Sequence, residues 1–403
     1  MANRDQPSIE SGVLAAQPPL ATAPTATDDL TPLREAKFAE PLADLERLLS
    51  QTHCAFLLGA GCGKCAGLPV TSELTTSVLE RLAGDETTRT IVEAVRNNFD
   101  GSASANIEDY MSELVDHIAI AERRKLRDAT NTMVPVADRK CSLDDLKGAL
   151  GGLKNRVAEC VQTDHVDLTT HRGFVRAVHA TLEAGKPPRR VDYFVLNYDT
   201  LIEDALSLER IPYVDGFVGG ATGWWSPTVF EDGQAHVRVF KVHGSIDWCR
   251  WKNEVFPRRV RTGLPSLEQA EPVLIWPAAT KYRETQRDPF AQMLDLMRDR
   301  LRPVGGAEVV LVICGYSFGD DHFNVEIERA LRESAGRLTV IALTSDDRPT
   351  SVLRTWLSDP ALHEQLRVYA NRGFFHGAEA RSSEAPLLWW KFEVLTRLLR
   401  GEK

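Results

Sequence analysis

Short runs of apolar residues, several of them continuous rather than alternating, recur along the second half of the chain. Five such runs predict strands, because strands that are buried on both faces of a parallel sheet are apolar throughout. Helix-like segments such as Leu201–Leu208 and His322–Arg332 follow most of them. This alternation predicts an α/β fold with a Rossmann-like, doubly wound parallel sheet. The predicted strands are Tyr193–Leu196, Val237–Val242, Pro272–Trp276, Val309–Cys314 and Leu338–Leu343.

The regions before this alternating part have different patterns. Residues 1–32 are rich in Ala, Pro and Thr and contain little that could build a core, so we expect a disordered tail. A main domain is expected over 33–345, with a first helix at about 33–52 and a largely helical insertion at about 70–187. Within the insertion, residues 126–152 have no clear period, which is compatible with a long loop.

The last part of the chain, 346–403, is expected to be an extension of packing or assembly helices. Its clearest feature is the stretch Pro386–Arg400, which places apolar residues on one helical face. Two interpretations remain open: the helix packs on its own domain, or it contacts another copy or a partner, since Trp is enriched in such contacts. The apolar positions are Leu388, Trp389, Phe392, Leu395 and Leu399.

Charge and hydropathy exclude several classes of protein. The content of 43% hydrophobic and 26% charged residues is that of an ordinary globular protein. The net charge is −9 and no long run of Lys and Arg occurs, which argues against direct nucleic-acid binding. No apolar run approaches the roughly 18 residues that a membrane span needs. The N-terminus lacks a secretory pattern, so a cytoplasmic location without membrane contact is expected.

The seven cysteines are scattered and odd in number, so a disulfide framework is not expected. Cys62 and Cys65 form a C-x-x-C pair, but no second pair has a spacing suited to structural zinc. We therefore predict no metal site. The two cysteines are expected to be small residues packed beneath a ligand, and a redox role is the remaining alternative.

Residues 55–69, AFLLGAGCGKCAGLP, pass from an apolar strand directly into a glycine-rich turn. Glycines allow a tight turn and let the backbone approach a phosphate, while the N–H groups of the next helix face the anion. Such turns also occur without any ligand. After Pro69, Thr71 or Ser72 is expected to cap the next helix.

Polar residues follow three of the later predicted strands. The segments are Asn197–Asp199, His243–Ser245 and Gly315–Ser317, the last followed closely by Asp320 and Asp321. A single polar residue after a strand is more often a helix cap than a ligand group. Because ligands of doubly wound sheets bind at the carboxyl ends of the strands, these three clusters together with the glycine turn predict one binding site.

These motifs and their order resemble the sirtuin superfamily. The segments NYDTLIE, KVHGSIDW and GYSFGDDH are most similar to the sirtuin-like proteins of bacterial anti-phage defence. The resemblance covers about residues 55–345 and matches the helical stretch after the glycine turn only loosely. It implies a Rossmann-like fold and NAD as the substrate.

The resemblance also implies roles for individual residues. Asn197 would orient a water, Asp199 would hold the nicotinamide carboxamide, and His243 would be the base that polarises a ribose hydroxyl. An imidazole suits that task because its ordinary pKa is about 6.5. The residues implied in binding the pyrophosphate and the adenosine side of NAD are Gly59, Ala60, Gly61, Gly315, Ser317 and Asp320.

Departures from the family pattern favour one activity. Deacylating sirtuins have an aspartate–phenylalanine–arginine element where this chain has Val70-Thr71-Ser72, and they usually carry a four-cysteine zinc ribbon. Both losses concern acyl-lysine substrates, so water is the expected acceptor and the reaction is hydrolysis of NAD to nicotinamide and ADP-ribose. Gly63 occupies a position where the family commonly has a serine.

The resemblance further implies a gated effector that acts in anti-phage defence by NAD depletion. A homo-oligomer is expected, with a HerA-type ATPase as a partner. Two alternatives remain open at this point: a catalytically silent subunit that senses NAD or ADP-ribose, and an NAD-dependent protein deacylase.

Overall fold

The protein is described by a computed structural model that covers most of residues 29–402. The described ranges are 29–51, 53–99, 105–127, 131–162, 166–180, 189–220, 222–233, 235–251, 254–260, 270–274 and 288–402. The α-helices are α1 (Ala36–Leu49), α2 (Thr71–Arg81), α3 (Glu86–Asn97), α4 (Ile107–Leu126), α5 (Leu143–Val161), α6 (Thr169–His179), α7 (Leu201–Leu208), α8 (Phe290–Leu301), α9 (Asp321–Glu333), α10 (Ser351–Ser358) and α11 (Phe392–Leu399).

The strands form one large sheet, one smaller sheet and a hairpin. In chain order they are β1 (His53–Leu58), β2 (Val134–Val136), β3 (Arg139–Cys141), β4 (Arg190–Val195), β5 (Phe217–Val218), β6 (Thr222–Trp225), β7 (Val237–Lys241), β8 (Gly244–Trp251), β9 (Arg258–Val260), β10 (Ala270–Leu274), β11 (Val309–Cys314), β12 (Leu338–Thr344), β13 (Leu366–Ala370), β14 (Gly373–His376) and β15 (Glu379–Ser382).

The large sheet has eight strands in the order β15-β14-β13-β12-β11-β1-β4-β7. The six strands from β13 to β7 are parallel, and β14 and β15 add an antiparallel hairpin at one edge. The chain moves outward from β1 through β4 to β7, returns to β11 beside β1, and then moves outward in the other direction. The order therefore reverses between β1 and β11, where open α/β sheets form a ligand crevice. The predicted fold class is confirmed.

Each face of the large sheet packs against its own set of helices. Successive residues of a strand point to opposite faces, and β4 shows this directly. Tyr193 stacks on Phe56 at a ring distance of 5.5 Å in the core beneath α1, α6, α7 and α11. Phe194 stacks on Phe240 at 5.0 Å in the opposite core, beneath α8, α9 and α10. Because both faces of the sheet are covered, the residues pointing to either face are apolar, and the strands are therefore continuous apolar runs.

The helical insertion forms a separate cluster of α2, α3, α4 and α5 with its own apolar core. The stretch 126–152, where a long loop was an option, contains the β2–β3 hairpin and the first half of α5. Helix α6 was expected in the insertion, but its buried residues pack in the main core against β1 and β4. The insertion therefore ends before Thr169.

The second sheet is antiparallel and has the order β10-β8-β9-β6-β5. The predicted strand Pro272–Trp276 belongs here, as β10 paired antiparallel with β8, and not to the parallel sheet. Its last two positions lie outside the described residues. A short apolar run cannot indicate which sheet a strand will join, which explains this error.

The C-terminal region differs from the expected extension of helices. Strand β13 pairs in parallel with β12, so residues beyond 345 extend the main sheet. The helix expected over Pro386–Arg400 begins only at Phe392, and Leu388 has a left-handed backbone with φ of +56°. Trp389 is fully buried and donates its indole N–H to the oxygen of Ala370 at 2.6 Å. Of the two interpretations, packing on the chain's own domain is the one observed.

At the other end of the chain, most of the expected tail lies outside the described residues. Leu30 and Leu33, which fall within or beside it, are buried in the main core. Among the described helices, none combines the length and apolar character that a membrane span requires.

Candidate active site

The glycine turn after β1 packs directly against the turn after β11. The Gly59 N–H donates to the oxygen of Cys314 at 3.0 Å, and the Gly61 N–H donates to the oxygen of Gly315 at 2.9 Å. A Cβ on Gly59 would lie 2.4 Å from the Gly315 oxygen, and Gly315 itself has φ of +67°. These glycines are therefore required by the close approach of two turns at the crevice, whether or not a ligand is bound.

The turn continues as a 3₁₀-helix over Ala60–Ala66, in which Ala60 is exposed at the first position. The next α-helix, α2, begins only at Thr71, and Val70 occupies its N-cap position. The expected cap by Thr71 or Ser72 is therefore wrong, because both residues lie inside the helix. The helix nearest to the glycine turn is the 3₁₀-helix and not α2.

The C-x-x-C pair lies beneath this turn. Cys62 is buried, and its Sγ lies 3.2 Å from the oxygen of Cys314. Burial raises the pKa of Cys62 well above its usual range and that of Cys65 to about 12. Since the thiolate is the reactive form, both are packing residues at neutral pH rather than reactive thiols. In the part of the chain that the structure describes, no cluster of three His, Cys, Asp or Glu side chains could hold a metal.

The loop after β4 is held by the segment that ends β7 and starts β8. His243 Nδ1 lies 3.2 Å from the oxygen of Leu196. Ser245 donates its hydroxyl to the oxygen of Tyr198 at 3.3 Å. Lys241 donates its ammonium to the oxygen of Asp199. We call Lys241, His243 and Ser245 the strand-end clamp, because these alternate residues hold three carbonyls of one loop.

The hydrogen bond of His243 fixes the tautomer of its neutral ring. A carbonyl only accepts, so Nδ1 carries the hydrogen and Nε2 carries the lone pair that a base needs. His243 is only 4% exposed, and Nε2 itself is not accessible to solvent. Its ring centroid lies 5.3 Å from Phe323 and 6.1 Å from His322, both near the start of α9. His322 is therefore a neighbour of the candidate base.

Asp199 connects the loop after β4 to the glycine turn. Its Oδ1 accepts from the N–H of Leu201 at 3.1 Å, and its Oδ2 lies 3.7 Å from the position that a Cβ on Gly63 would take. The same Cβ would approach Leu68 to 3.3 Å. Burial lowers the pKa of His171, which lies beneath this region on α6, to about 4, although the charge of Asp199 opposes the shift. His171 is therefore neutral at pH 7.

Asn197 lies two residues before Asp199 in the same loop and is half-buried. On the other side of the crevice, Ser317 is exposed in the turn after β11, and Asp320 is the N-cap residue of α9. Asn324 holds this turn by donating its amide to the oxygen of Phe318 at 2.8 Å. The predicted site residues therefore lie on the loops after β1, β4 and β11, except His243, which lies between β7 and β8 and contacts the loop after β4.

A buried charged pair lies under the loop after β4 and was missed from the sequence. Glu203 of α7 places Oε1 3.5 Å from Nζ of Lys241, which is 1% exposed. Burial raises the pKa of Glu203 to about 7, against the opposing charge of Lys241. Both residues stand inside the NYDTLIE and KVHGSIDW segments. The two-residue spacing of Lys241, His243 and Ser245 was a signal that could have indicated a shared face.

An apolar cavity of about 420 Å³ lies elsewhere. It is enclosed by α1, α6 and α11, and Leu49 and Arg189 place it near the amino ends of β1 and β4. Ligands of doubly wound sheets bind at the carboxyl ends. We therefore assign the candidate site to the crevice and not to this cavity.

Comparison with known proteins adds a family match to this geometry. Residues 192–364 match the model of the SIR2-like domain. The matched segment includes the loop after β4, the strand-end clamp and the turn after β11, and it begins after the glycine turn. No curated protein matches the chain.

Two solved structures are similar to the chain at low identity. One is a Sir2 homologue, a histidine-to-asparagine mutant, in complex with ADP-ribose; it is 11% identical, with 89% of this chain and 95% of that chain covered and a TM-score of 0.39. The other is described as the structural basis for the mechanism and regulation of Sir2 enzymes, at 11% identity, 90% and 96% coverage and a TM-score of 0.39.

Proposed function

We propose that this protein is an NAD glycohydrolase that cleaves NAD to nicotinamide and ADP-ribose. The SIR2-like match over 192–364 supports NAD-dependent chemistry in general. The observation that carries the proposal is the meeting of three loops at the sheet crevice. There the glycine turn lies against Gly315, Asp199 faces the glycine turn, and His243 is held on the loop that bears Asn197 and Asp199.

The chemistry suits the residues at this place. Cleavage of the bond between nicotinamide and ribose develops positive charge on the sugar, as in other glycoside cleavages. The carboxylate of Asp199, which the resemblance implies would hold the nicotinamide carboxamide, would also place a negative charge near that cation, and Asn197 would orient the attacking water. Nε2 of His243 would accept the proton of a ribose hydroxyl. Water adds its oxygen to the anomeric carbon, nicotinamide leaves with the bonding electron pair, and one proton is released.

The burial of the base supports an activity that is gated. A ribose hydroxyl cannot reach Nε2 of His243 while that atom is closed off from solvent. We propose that the loops around the crevice rearrange before catalysis. We propose that the protein is an effector of anti-phage defence that depletes NAD when activated. Assembly into a homo-oligomer and a HerA-type ATPase partner are the proposed means of activation.

The same burial is the observation that favours a second candidate. A subunit that binds NAD or ADP-ribose without cleaving it has no need of an accessible base. Such a sensor would bind through the glycine turn and the turn after β11. It would lose nothing if His243 became a non-basic residue of similar size.

Purified protein tests these candidates when it is incubated with NAD, alone and with candidate partners, while nicotinamide and ADP-ribose are measured. His243→Ala and Asn197→Ala are expected to abolish product formation. His376→Ala is the matched control, because Nδ1 of His376 also lies close to a main-chain oxygen, that of Leu366 at 2.7 Å, but on the distant strand β14. It is expected to remain active.

The outcomes separate three readings. Products from the wild type and the His376 variant only would support hydrolysis. If NAD binds and no condition yields nicotinamide, the hydrolase proposal fails and the sensor gains support. Release of nicotinamide only in the presence of an acylated peptide would indicate a deacylase instead.

A further inference from the structure

The pair of Lys241 and Glu203 has no part in the proposed bond cleavage, yet both charges are buried. The side chain of Lys241 is 1% exposed and that of Glu203 is 10% exposed. Taking two charges out of water costs free energy that their mutual attraction often fails to recover. A well-packed apolar pair would stabilise the fold at least as well. The position of the pair therefore calls for a reason other than stability.

The contacts of Lys241 supply that reason. Its ammonium donates to the main-chain oxygen of Asp199 and also faces Oε1 of Glu203. Glu203 lies on α7, whose first residue, Leu201, donates its N–H to the side chain of Asp199. Helix, lysine and loop thus form a closed set of contacts around Asp199. An apolar side chain at 241 could not donate to the main-chain oxygen of Asp199.

We propose that Lys241 and Glu203 are positioning residues that fix the loop from Asn197 to Asp199 for catalysis. This inference rests on the proposed function, because it concerns the same site. Glu203 orients the ammonium of Lys241, and the hydrogen bond from Lys241 fixes the position of the Asp199 backbone in the crevice. Catalytic groups that are misplaced by about 1 Å can lose on the order of 100-fold in rate.

The matched control lies on the same strand. Arg238 of β7 is 3% exposed and pairs with the fully buried Asp192 of β4 at 3.4 Å. This second buried pair is near the amino ends of the strands. Among the described residues, the hydrogen-bond partners of its two side chains outside the pair are His53 and Phe230, and neither belongs to the crevice loops. The pair of Arg238 and Asp192 is therefore buried and oppositely charged like that of Lys241 and Glu203, but it does not lie beside the crevice.

The test compares Lys241→Met, Glu203→Gln and the double variant with Arg238→Met and its double variant with Asp192→Asn. Lys241→Met removes the cation that faces Glu203, and Arg238→Met leaves Asp192 with His53 as its remaining side-chain partner, so both variants are expected to unfold at a lower temperature. Each double variant removes both charges and is expected to recover much of that loss. Three quantities are then measured: the unfolding temperature, the kcat and KM for NAD, and the hydrogen exchange of the amides of residues 196–200.

The double variant of Lys241 and Glu203 is expected to lose at least about tenfold in kcat despite its recovered stability, because the loop is no longer fixed. Its exchange at residues 196–200 should become at least about tenfold faster, since the loop opens more readily. The double variant of Arg238 and Asp192 should match the wild type in kcat and in the hydrogen exchange of residues 196–200. Wild-type kcat and exchange in the first double variant, or equal losses in the second, would overturn the proposal.

Hydrogen exchange keeps this test separate from that of the proposed function. If the wild type releases no nicotinamide under any condition, the hydrolase proposal fails. Faster exchange confined to residues 196–200 in the Lys241 and Glu203 variants would still support the positioning role. Unchanged exchange there would overturn it, whatever the activity.

Discussion

The two ends of the same parallel strands carry similar polar groups that are used in different ways. At the amino ends, His53 Nε2 lies 2.9 Å from Asp192 Oδ2, and Arg238 lies 3.4 Å from Asp192 Oδ1. At the carboxyl ends, Lys241 and His243 contact backbone oxygens of the loop that bears Asp199. A histidine, a carboxylate and a cation are therefore present at both ends.

The difference lies in the partners. At the amino ends the side chains bind one another across adjacent strands, which holds the sheet together. Arg238 also donates to the main-chain oxygen of Phe230 at 3.1 Å, and Phe230 is not part of the crevice loops. At the carboxyl ends they bind a loop at the crevice where the strand order reverses. The residue types of a catalytic site therefore do not identify one by themselves. The groups that those residues contact must also be known.

The largest expected effect comes from replacing, one at a time, two buried carboxylates: Asp199 in the loop after β4 and Asp192 in β4 itself. Asp199→Asn should lower nicotinamide release by about 100-fold or more, because the charge that opposes the developing cation is lost. Asp192→Asn, which is also buried, should lower the free energy of unfolding by leaving Arg238 unpaired and leave kcat unchanged. Steady-state kinetics beside urea unfolding would check this. Equal losses of kcat in both would erase the distinction between the two ends.

Two glycines with similar backbones provide the next test. Gly315 has φ of +67° at the crevice, and a Cβ there would lie 2.5 Å from the Cys62 nitrogen. Gly336 has φ of +80° before β12 and no atom within 4 Å of such a Cβ. Alanine at 336 should cost only about 1–2 kcal/mol of backbone strain. Alanine at 315 should cost about 1–3 kcal/mol more from overpacking.

The free energy of unfolding of both alanine variants, from denaturant titration, measures that difference. Similar losses in the two would show that the turns after β1 and β11 are not in close contact. The predicted packing of the crevice would then be incorrect.

A third test uses the pH dependence of stability. Burial raises the pKa of Glu203 from 4.5 to about 7, so folding favours its protonated form. Its contribution is fully present below pH 4.5 and is lost as the pH rises through 7, by up to about 3 kcal/mol. Glu203→Gln should remove this decline. Unfolding measured from pH 4 to 8 would contradict the account if the wild type and the variant run in parallel.

Glu209, near the other end of α7, provides the control of opposite sign. Its hydrogen bonds to Arg176 and Arg172 lower its pKa from 4.5 to about 2. Its contribution is present above pH 4.5 and is lost as the pH falls through 2. Glu209→Gln should therefore leave the decline between pH 4.5 and 7 in place.

The smallest expected effect is at Gly63. A Cβ there would contact Leu68 at 3.3 Å, so alanine should cost less than about 1 kcal/mol. Serine should recover part of that loss, since its hydroxyl could donate to Asp199, 3.7 Å from the Cβ position. Thermal unfolding of Gly63→Ala and Gly63→Ser checks the order. A serine variant less stable than the alanine variant would place Asp199 farther from the glycine turn.

Much of the fold could be predicted from the sequence because the pattern is local. Val309–Cys314 and Leu201–Leu208 have the predicted bounds, since a buried strand and an amphipathic helix each bear a clear period. The pairing of β10 with β8 and the entry of β13 into the main sheet depend on partners distant in the chain. No period within one segment carries that information.

The candidate site shows the same division. The strand-end residues Asn197, Asp199 and His243 could be proposed as candidates from the sequence, because polar groups interrupt an apolar pattern there. The sequence did not indicate that Lys241 and Glu203 are buried, because a lysine at a strand end and a glutamate in a helix are usually exposed. Only the structure shows that both are buried and face each other.

The most direct test of the central claim is the stoichiometry of NAD cleavage by the activated wild-type protein, measured beside His243→Gln. We predict that nicotinamide and ADP-ribose appear in equal amounts as NAD disappears, and that both are absent with the variant while NAD still binds. Products formed equally by the variant, or NAD that binds to the wild type and stays intact under every activating condition, would contradict it.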